Sequence, residues 1–489
     1  MEFRINHQPE DTICAISTAP GRGGIAVIRV SGSEAIAVTD RIFHPVKQGK
    51  NIAGQAANTV CFGTIRDEQG NIVDEAVVTL FRAPHSFTGE DTTEISCHGS
   101  LYIQQQIITL LLRNGARMAQ AGEFTRRAFA NGKIDLSQAE AVADVIASNS
   151  AAAHKLAMQQ MRGGFSHALA DLRERLLNFV SLIELELDFS EEEVEFADRK
   201  RLTDLANEIE HTIRRLSDTF QMGNAIKNGI PTAIIGETNA GKSTLLNALV
   251  HEERALVSDI HGTTRDVIED TTVIQGITFR FIDTAGIRET HDTIESMGIE
   301  RTFLKLEQAS IVIWLIDTTQ TTSEATALAG RILPLCTGKQ LIVAFNKQDK
   351  IDTTVRQQWK QFFDTIKDVH ASAQHLFLSA AKQTGIAELE SQLITAAQLP
   401  ETGDNDIIVT NARHYEALHH AHNAIARVQD GLASNLSGDF LSQDIRECMH
   451  YLGEITGQIS TDEILGNIFS KFCICLLYTS DAADDGESV

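Results

Sequence analysis

The nine residues Gly236-Glu237-Thr238-Asn239-Ala240-Gly241-Lys242-Ser243-Thr244 follow the apolar run "TAII" and lead into the helical "TLLNALV". Strand, G-x-x-x-x-G-K-[ST] and helix come in the order that phosphate binding requires. Backbone N–H groups of such a loop and of the helix start surround phosphate oxygens, Lys242 neutralises β/γ charge, and Ser243 supplies a magnesium ligand. Three further segments fit the same chemistry. "DTAG" (283–286) ends the strand "RFI", where Asp283 can hold magnesium through water and Gly286 can bond a γ-phosphate as a switch. "NKQD" (346–349) ends "LIVAF", and "SAAK" (379–382) follows "LFL". Asp349 can accept from both N1–H and the exocyclic amino group of guanine, a pair adenine lacks, and a buried carboxylate left unpaired penalises ATP, so the pattern selects GTP.

Between the first two segments lies "ALVSDIHGTTRD" (255–266), in which Thr264 completes magnesium coordination as a mobile switch. The expected nucleotide contacts begin with Asn239, Ala240, Gly241, Lys242, Ser243 and Thr244. The second loop adds Ser258, Asp259, Ile260, His261, Gly262, Thr263 and Thr264, and the third adds Asp283, Thr284, Ala285 and Gly286. Asn346, Lys347, Asp349, Ser379 and Ala380 meet the base. Each piece alone reads as a strand-end turn; their joint order does not. Ile287 stands where Ras-like proteins carry the glutamine that orients water, and an isoleucine cannot do that. Glu289 is the nearest candidate for that task, with Arg288 as a competing intrinsic finger.

The elements that position these groups are legible in texture. From Gly229, apolar strands alternate with helix-like stretches, the pattern of a doubly wound parallel sheet. Up to about residue 125, "ICAIST", "GIAVIRVSG" and "EAVVTLF" read as strands and "SLYIQQQIITLLLRNGA" as a helix, a small α+β domain. From "TRRAFANGKIDLSQAEAVADVI" to about Asn224 the period is helical, interrupted only at Gly163 and Gly164, and helical texture returns after about residue 400. The chain is thus expected to be a multidomain α/β protein: an N-terminal domain over 1–125, a helical domain in two parts (126–228 and 396–474) that pack together, and an α/β domain over 229–395 inserted between them.

Composition narrows the partners. In 489 residues, 42 Lys and Arg stand against 66 Asp and Glu, a formal charge of -24. That argues against nonspecific coating of nucleic acid, so any RNA contact is expected to be local or shared with a partner. With 43% hydrophobic residues the chain is globular rather than disordered. Seven scattered cysteines, an odd number, argue against a disulfide framework and for a reducing compartment. No basic start precedes an apolar run and no segment reaches membrane-spanning length, so the expected location is cytoplasmic. The run Glu191 to Glu193 reads as a solvated face.

The motifs "NAGKS", "GTTRD" and "DTAGIRE" resemble those of translation-factor-related bacterial GTPases that depend on potassium. The resemblance implies that Asn239 helps hold a potassium ion where other GTPases receive an arginine finger, with Ser258, Ile260 and Thr263 completing its shell. A fixed cation against the β/γ bridging charge is electrostatic transition-state stabilisation. With "PGRGGIAVIRVSG" (20–32), "SFTGEDTTEISCHG" (86–99), "AGEFTRRAFANGKIDLSQAEAVADVI" (121–146) and "GQISTDEILGNIFSKFCI" (457–474), the chain resembles the MnmE (TrmE) family of tRNA-modification GTPases from about residue 10 to Cys473. The resemblance implies an N-terminal domain that makes a homodimer and binds a tetrahydrofolate derivative in its 5-formyl or methylene form, contacted by Arg29, Glu94 and Lys133. It also implies an FAD-dependent partner subunit in a heterotetramer that modifies carbon 5 of the wobble uridine of certain tRNAs. GTP hydrolysis, assisted by Mg2+ and K+ and by Glu289, would be coupled to closing of paired G domains. Arg29 or Lys133 suits an anionic glutamate tail, and Glu94 suits the donor edge of a pterin.

Two other readings fit parts of the pattern: a ribosome-maturation switch, which would carry a basic RNA-binding appendage, and a stand-alone folate-dependent one-carbon transferase with a regulatory G domain. Neither explains the inserted architecture as well. The sequence departs from the family at Glu237 and Thr238, where Arg-Pro is common, adding a negative charge near the phosphates. It departs again at the end. The family's usual close is Phe-Cys-Ile-Gly-Lys; here Cys473 and Ile474 keep the pattern, while Cys475 and Leu476 replace Gly and Lys. Cys473 carries over as a candidate catalytic thiol, but the terminal lysine, a folate contact, does not. Residues 475–489 have neither helical period nor core and read as a non-native tail; a Cys-x-Cys metal site lacks a second matched pair.

Overall fold

The structure, a computed structural model, describes residues 11–46, 51–188, 199–237, 239–250, 270–282, 306, 308–398, 407–459 and 468. The chain divides into two compact units, Met1–Ile146 with Ala157–Ile213 and Ala417–Val489, and Ala147–Leu156 with Arg214–Glu416.

In the first unit a seven-stranded sheet forms from β1 (Ile13–Ile16), β2 (Ile25–Ser31), β3 (Phe43–Pro45), β4 (Thr59–Arg66), β5 (Ile72–Phe81), β6 (Thr92–His98) and β7 (Arg117–Met118), ordered β3-β4-β5-β6-β2-β1-β7. All neighbours are antiparallel except β1 and β7. The strands expected in "ICAIST", "GIAVIRVSG" and "EAVVTLF" are β1, β2 and β5, and the expected helix is Leu101–Arg113. Strand periodicity assigns the two faces. Cys14, Ala26, Ile28, Val30, Ala76, Val78, Leu80, Ile95 and Cys97 pack with the helices Ala35–Ile42 and Leu101–Arg113. Ile13 and Ala15, on the opposite face, pack with Phe87, Phe124 and Leu136.

Helices beyond this sheet break more often than expected. Besides Gly163, at φ 83, the chain leaves helix at Asn131–Asp135 and Ser148–Ser150. Capping explains the difference: Gln138 N–H donates to Asp135 Oδ1 (2.9 Å) and Ala153 N–H to Ser150 Oγ (3.2 Å), so short polar residues start new helices inside an unbroken helical period. The helices Gly164–Asp188 and Gly438–Thr456, far apart in the chain, pack on one another.

The second unit contains β8 (Ile230–Ile235), β9 (Asp270–Ile274), β10 (Ile277–Phe281), β11 (Ile311–Asp317), β12 (Gln340–Asn346) and β13 (Gln374–Phe377), ordered β13-β12-β11-β8-β10-β9. The sheet is parallel as expected except at its edge, where β9 runs antiparallel to β10 through the tight turn Gln275-Gly276. Every residue of β11 is buried. Ile311, Ile313 and Leu315 face a core closed by the helices Lys242–Val250 and Ile386–Ala396. Val312, Trp314 and Ile316 face the core under Thr322–Ile332 and Thr353–Val369. Helices therefore cover both faces of a strand whose apolar run is continuous, as doubly wound sheets require. Among the described residues no helix is long and apolar enough to cross a membrane.

One buried ion network stabilises the first unit. Glu123, 1% exposed, accepts from both terminal nitrogens of Arg117 (2.9 and 2.6 Å), from Gln120 N–H (2.8 Å) and from Arg127 Nη2 (3.3 Å). Arg127 also donates to both oxygens of Glu90 at 3.0 Å. Burial pushes the Glu123 carboxyl up, but the Arg117 hydrogen bonds, the Gln120 N–H and the two guanidinium charges outweigh it and hold it at about 2, against 4.5 for a free group. A depressed carboxyl contributes stability that is full above the unfolded value and is lost as pH falls from 4.5 toward 2. Glu123→Gln is expected to destabilise by roughly 3 kcal/mol near neutrality. In denaturant titrations of the intact chain, the gap from wild type should narrow across that acid window; a gap independent of pH would reject the network's role.

Candidate functional site

The phosphate loop joins β8 to the helix Lys242–Val250. Its backbone needs glycine at two points. Gly236 has φ 152 and Gly241 φ 99, and a Cβ there would run into the Leu315 carbonyl and Asn346 Nδ2 respectively. Asn239 takes a left-handed conformation at φ 65, which asparagine tolerates. Lys242 Nζ reaches back over the loop to the carbonyls of Gly236 (2.7 Å) and Glu237 (2.8 Å). Ser243 is half-buried in the first turn and Thr244 is exposed. The cradle of close-packed backbone, helix start and lysine fits an anionic phosphate chain.

The base-recognition segments meet this loop through one side chain. Asn346, 3% exposed at the end of β12, donates from Nδ2 to the Ala240 carbonyl (2.7 Å). Its Oδ1 accepts from Lys347 N–H (2.8 Å) and Ala380 N–H (3.0 Å). Asp349, in the short 3-10 turn Gln348–Lys350, lies 3.4 Å from Lys382 Nζ. Its carboxyl is held below the usual range first by the Ser379 hydroxyl, which desolvation opposes, and then by its own backbone N–H and by Lys382. Asp349 is therefore an ionised acceptor, as reading two guanine N–H groups requires.

Asp317 was not singled out by the sequence, though a carboxylate ending an otherwise apolar central strand is a signal. It is 6% exposed and sits in register opposite Asn346. Its Oδ2 accepts from Lys347 Nζ at 2.5 Å, and its Oδ1 from Thr319 N–H (3.0 Å) and Thr319 Oγ1 (2.7 Å). Burial pushes its carboxyl up; the Lys347 and Thr319 hydrogen bonds more than offset this and hold it below its ordinary value.

Of the expected nucleotide contacts, Asn239, Ala240, Gly241, Lys242, Ser243, Thr244, Asn346, Lys347, Asp349, Ser379 and Ala380 come together around these loops of the second unit. Ser258, Asp259, Ile260, His261, Gly262, Thr263, Thr264, Asp283, Thr284, Ala285, Gly286 and Glu289 lie outside the described residues, as do Ile287, Arg288, Cys473, Cys475 and the run Glu191 to Glu193.

The first unit brings together a second set. Arg29 and Glu94 are direct cross-strand partners on β2 and β6, with Nε and Nη2 of Arg29 at 2.9 and 2.8 Å from Glu94 Oε1. The Arg29 guanidinium lies 5.1 Å from the Phe87 ring centre and 5.5 Å from that of Phe124, and is 1% exposed. Lys133 is half-buried, and its stem would touch a Cβ at Gly89 in the loop that also carries Phe87. Phe87 and Phe124 are buried around the guanidinium, so the partly exposed Glu94 carboxylate and the half-buried Lys133 are the groups of this set that suit a ligand with a donor edge and an anionic tail. The described cysteines outside these sites are free, and burial raises Cys14, Cys97 and Cys336 to about 11 and Cys448 to about 12, so these thiols stay protonated.

Comparison with known proteins places the chain in a family. The model of the MnmE helical domain matches residues 136–473, and that of the "GTP-binding protein TrmE N-terminus" matches residues 12–133. A tRNA modification GTPase MnmE from Bacteroides thetaiotaomicron is 61% identical over 465 residues, 95% of this chain and 99% of that protein. One from Flavobacterium johnsoniae is 53% identical over 471 residues, with the same two coverages. A GTP-binding protein of Sulfolobus solfataricus solved with GDP is 18% identical over 46% of this chain and 66% of that one, at a TM-score of 0.27, too low to argue from. Two family models that together span residues 12–473, and 61% identity over 95% of the chain, lead to one statement: the chain belongs to the MnmE (TrmE) family of tRNA modification GTPases.

Proposed function

We propose that this chain hydrolyses GTP at the second unit's loops in the service of tRNA wobble-uridine modification. The observation that carries the reading is Asn346, which ties the phosphate loop to the segments expected to meet the base and so supports a single site for both. Ser243 and Thr264 would hold magnesium, and Asn239 with Ser258, Ile260 and Thr263 would hold potassium. A bound potassium ion would supply fixed positive charge against the β/γ bridging oxygen. Glu289 would position the attacking water. The helical-domain match across 136–473 supports reading 229–395 as a G domain inserted between helical parts 126–228 and 396–474. Only 475–489 would stand outside the family pattern.

In the first unit, Glu94 would pair with the donor edge of a reduced folate and Lys133 with its carboxylate tail, because Arg29 is already committed to Glu94 and to two aromatic rings. The family implies a homodimer through this domain, an FAD-dependent partner subunit, and a role for Cys473 at the modified uridine. The acidic balance of the chain, -24, supports local or shared contact with tRNA rather than a broad basic face. A cytoplasmic location fits this work.

Replacing potassium by sodium is expected to slow GTP turnover at least about tenfold, and Asn239→Ala to remove the difference between the salts. Equal wild-type rates in both salts would reject the potassium mechanism while leaving GTP hydrolysis in place. At the base, Asp349→Asn is expected to weaken GTP about a hundredfold while favouring xanthosine triphosphate, since an amide can meet a ring carbonyl that a carboxylate repels. Nucleotide titrations read this directly, and an unchanged preference for guanine would place base recognition elsewhere. For folate, Lys133→Ala is expected to weaken 5-formyltetrahydrofolate about tenfold in calorimetric titration, with GTP turnover by the intact chain unaltered. Undiminished folate affinity would remove Lys133 from that site.

A further inference from the structure

We propose that Asp317 is a positioning residue for base recognition, holding Lys347 so that its methylene stem forms a fixed wall against one face of the guanine. The inference rests on the reading of the second unit as a guanine-nucleotide site. Three observations support it.

First, Lys347 is restrained at both ends. Its backbone is left-handed at φ 66, a conformation that costs a non-glycine residue free energy, and is kept there by its N–H on Asn346 Oδ1 and its carbonyl accepting from Lys350 N–H (2.9 Å). Its ammonium is kept on Asp317. A chain of four methylenes pinned at its root and its tip has few rotamers left, so it meets a ligand without further loss of side-chain entropy.

Second, Asp317 is itself immobile. Thr319 gives its other oxygen two hydrogen bonds. The next residue, Thr318, donates from N–H and Oγ1 to the Asn346 carbonyl (3.1 and 2.6 Å), and its own carbonyl accepts from Trp359 Nε1 at 3.1 Å. The Asp317 turn is thus clamped between β12 and the helix Thr353–Val369.

Third, the register is fixed by the sheet. Asp317 and Asn346 are Cα partners at the ends of β11 and β12, so the anchor for the lysine sits beside the asparagine that orients the phosphate loop. Asp349, two residues beyond Lys347, would then meet the edge of the base. The lysine stem then belongs to the face and the carboxylate to the edge.

The anchor lies away from the phosphates, so its loss affects di- and triphosphate alike. In the full chain, Asp317→Asn is expected to raise the Kd of both GDP and GTP about tenfold, the scale of one charge-assisted hydrogen bond. KM for GTP should rise by the same factor while kcat at saturation falls less than about twofold, because no transition-state contact is removed. Lys347→Met, which keeps an apolar stem but has nothing for Asp317 to hold, should give a similar loss, and the double variant should bind no worse than Lys347→Met alone. Asp317→Glu, retaining the charge, should recover part of the affinity.

A Kd within about twofold of wild type for Asp317→Asn, an effect on GTP without GDP, or fully additive losses in the double variant would overturn the proposal. If Asp317→Asn fails to fold, Lys347→Met decides alone: unchanged affinity there also overturns it. Wild-type chain that does not prefer guanine over adenine nucleotides would instead remove the underlying reading of the site.

Discussion

The nucleotide-binding half of this protein depends on the Asn346 carboxamide. Three partners surround it: one carbonyl, Ala240, and two N–H groups, those of Lys347 and Ala380. One acceptor and two donors admit only one orientation of an amide, so the side chain cannot flip without losing bonds at both ends. Burial makes the arrangement strict, since each group left unpaired would cost about 1–3 kcal/mol. Through this residue the glycine loop after β8, the turn after β12 and the segment after β13 take positions relative to one another. Their strands are already neighbours or near neighbours in the sheet, so the asparagine links only the carboxyl ends, where open α/β sheets place ligands. The same closeness explains Gly241: a side chain there would occupy the space of Asn346 Nδ2.

The first unit solves a different problem by different means. Its sheet places a charged pair at the centre of a face rather than at strand ends. Alternation along β2 sends Ala26, Ile28 and Val30 to one core and Arg29 to the other. A guanidinium buried there is tolerable because Glu94 lies opposite it in register and two aromatic rings cover it. Replacing either charge by an apolar residue would leave its partner buried and uncompensated. The pair is therefore a structural commitment as well as a polar floor. Lys133 enters from the helix-to-helix loop after Asn131 and is the more accessible cation.

Much of this was readable beforehand, and particular residues show why. The strand-loop-helix order at Gly236–Thr244 specifies a backbone shape, and the shape appears. The apolar run of β11 announced burial on both faces, and helices cover both. The antiparallel edge strand β9 was not anticipated, because five residues of ordinary strand character carry no direction. Helix breaks at Asn131–Asp135 and Ser148–Ser150 escaped a reading based on apolar period, since caps act through short polar side chains that leave the period intact. Asp317 escaped for a related reason. Its partner is only 30 residues away, but the contact exists only through parallel pairing of two strand ends, which a motif does not encode.

The departure at Glu237 is the instructive remaining case. From sequence, a carboxylate beside the phosphates looks adverse. In the structure this position enters the loop through its backbone: its carbonyl accepts from Lys242 Nζ and from Ala240 N–H (3.2 Å). Any residue offers a carbonyl, so loop geometry is indifferent to the side chain. What remains is a charge effect at a partly exposed position, which solvent and salt weaken. Geometry decides whether phosphate can be held, and a peripheral charge only adjusts how strongly. The loop therefore tolerates at position 237 what it cannot tolerate at Gly236 or Gly241, where a side chain would collide with neighbouring elements of the fold.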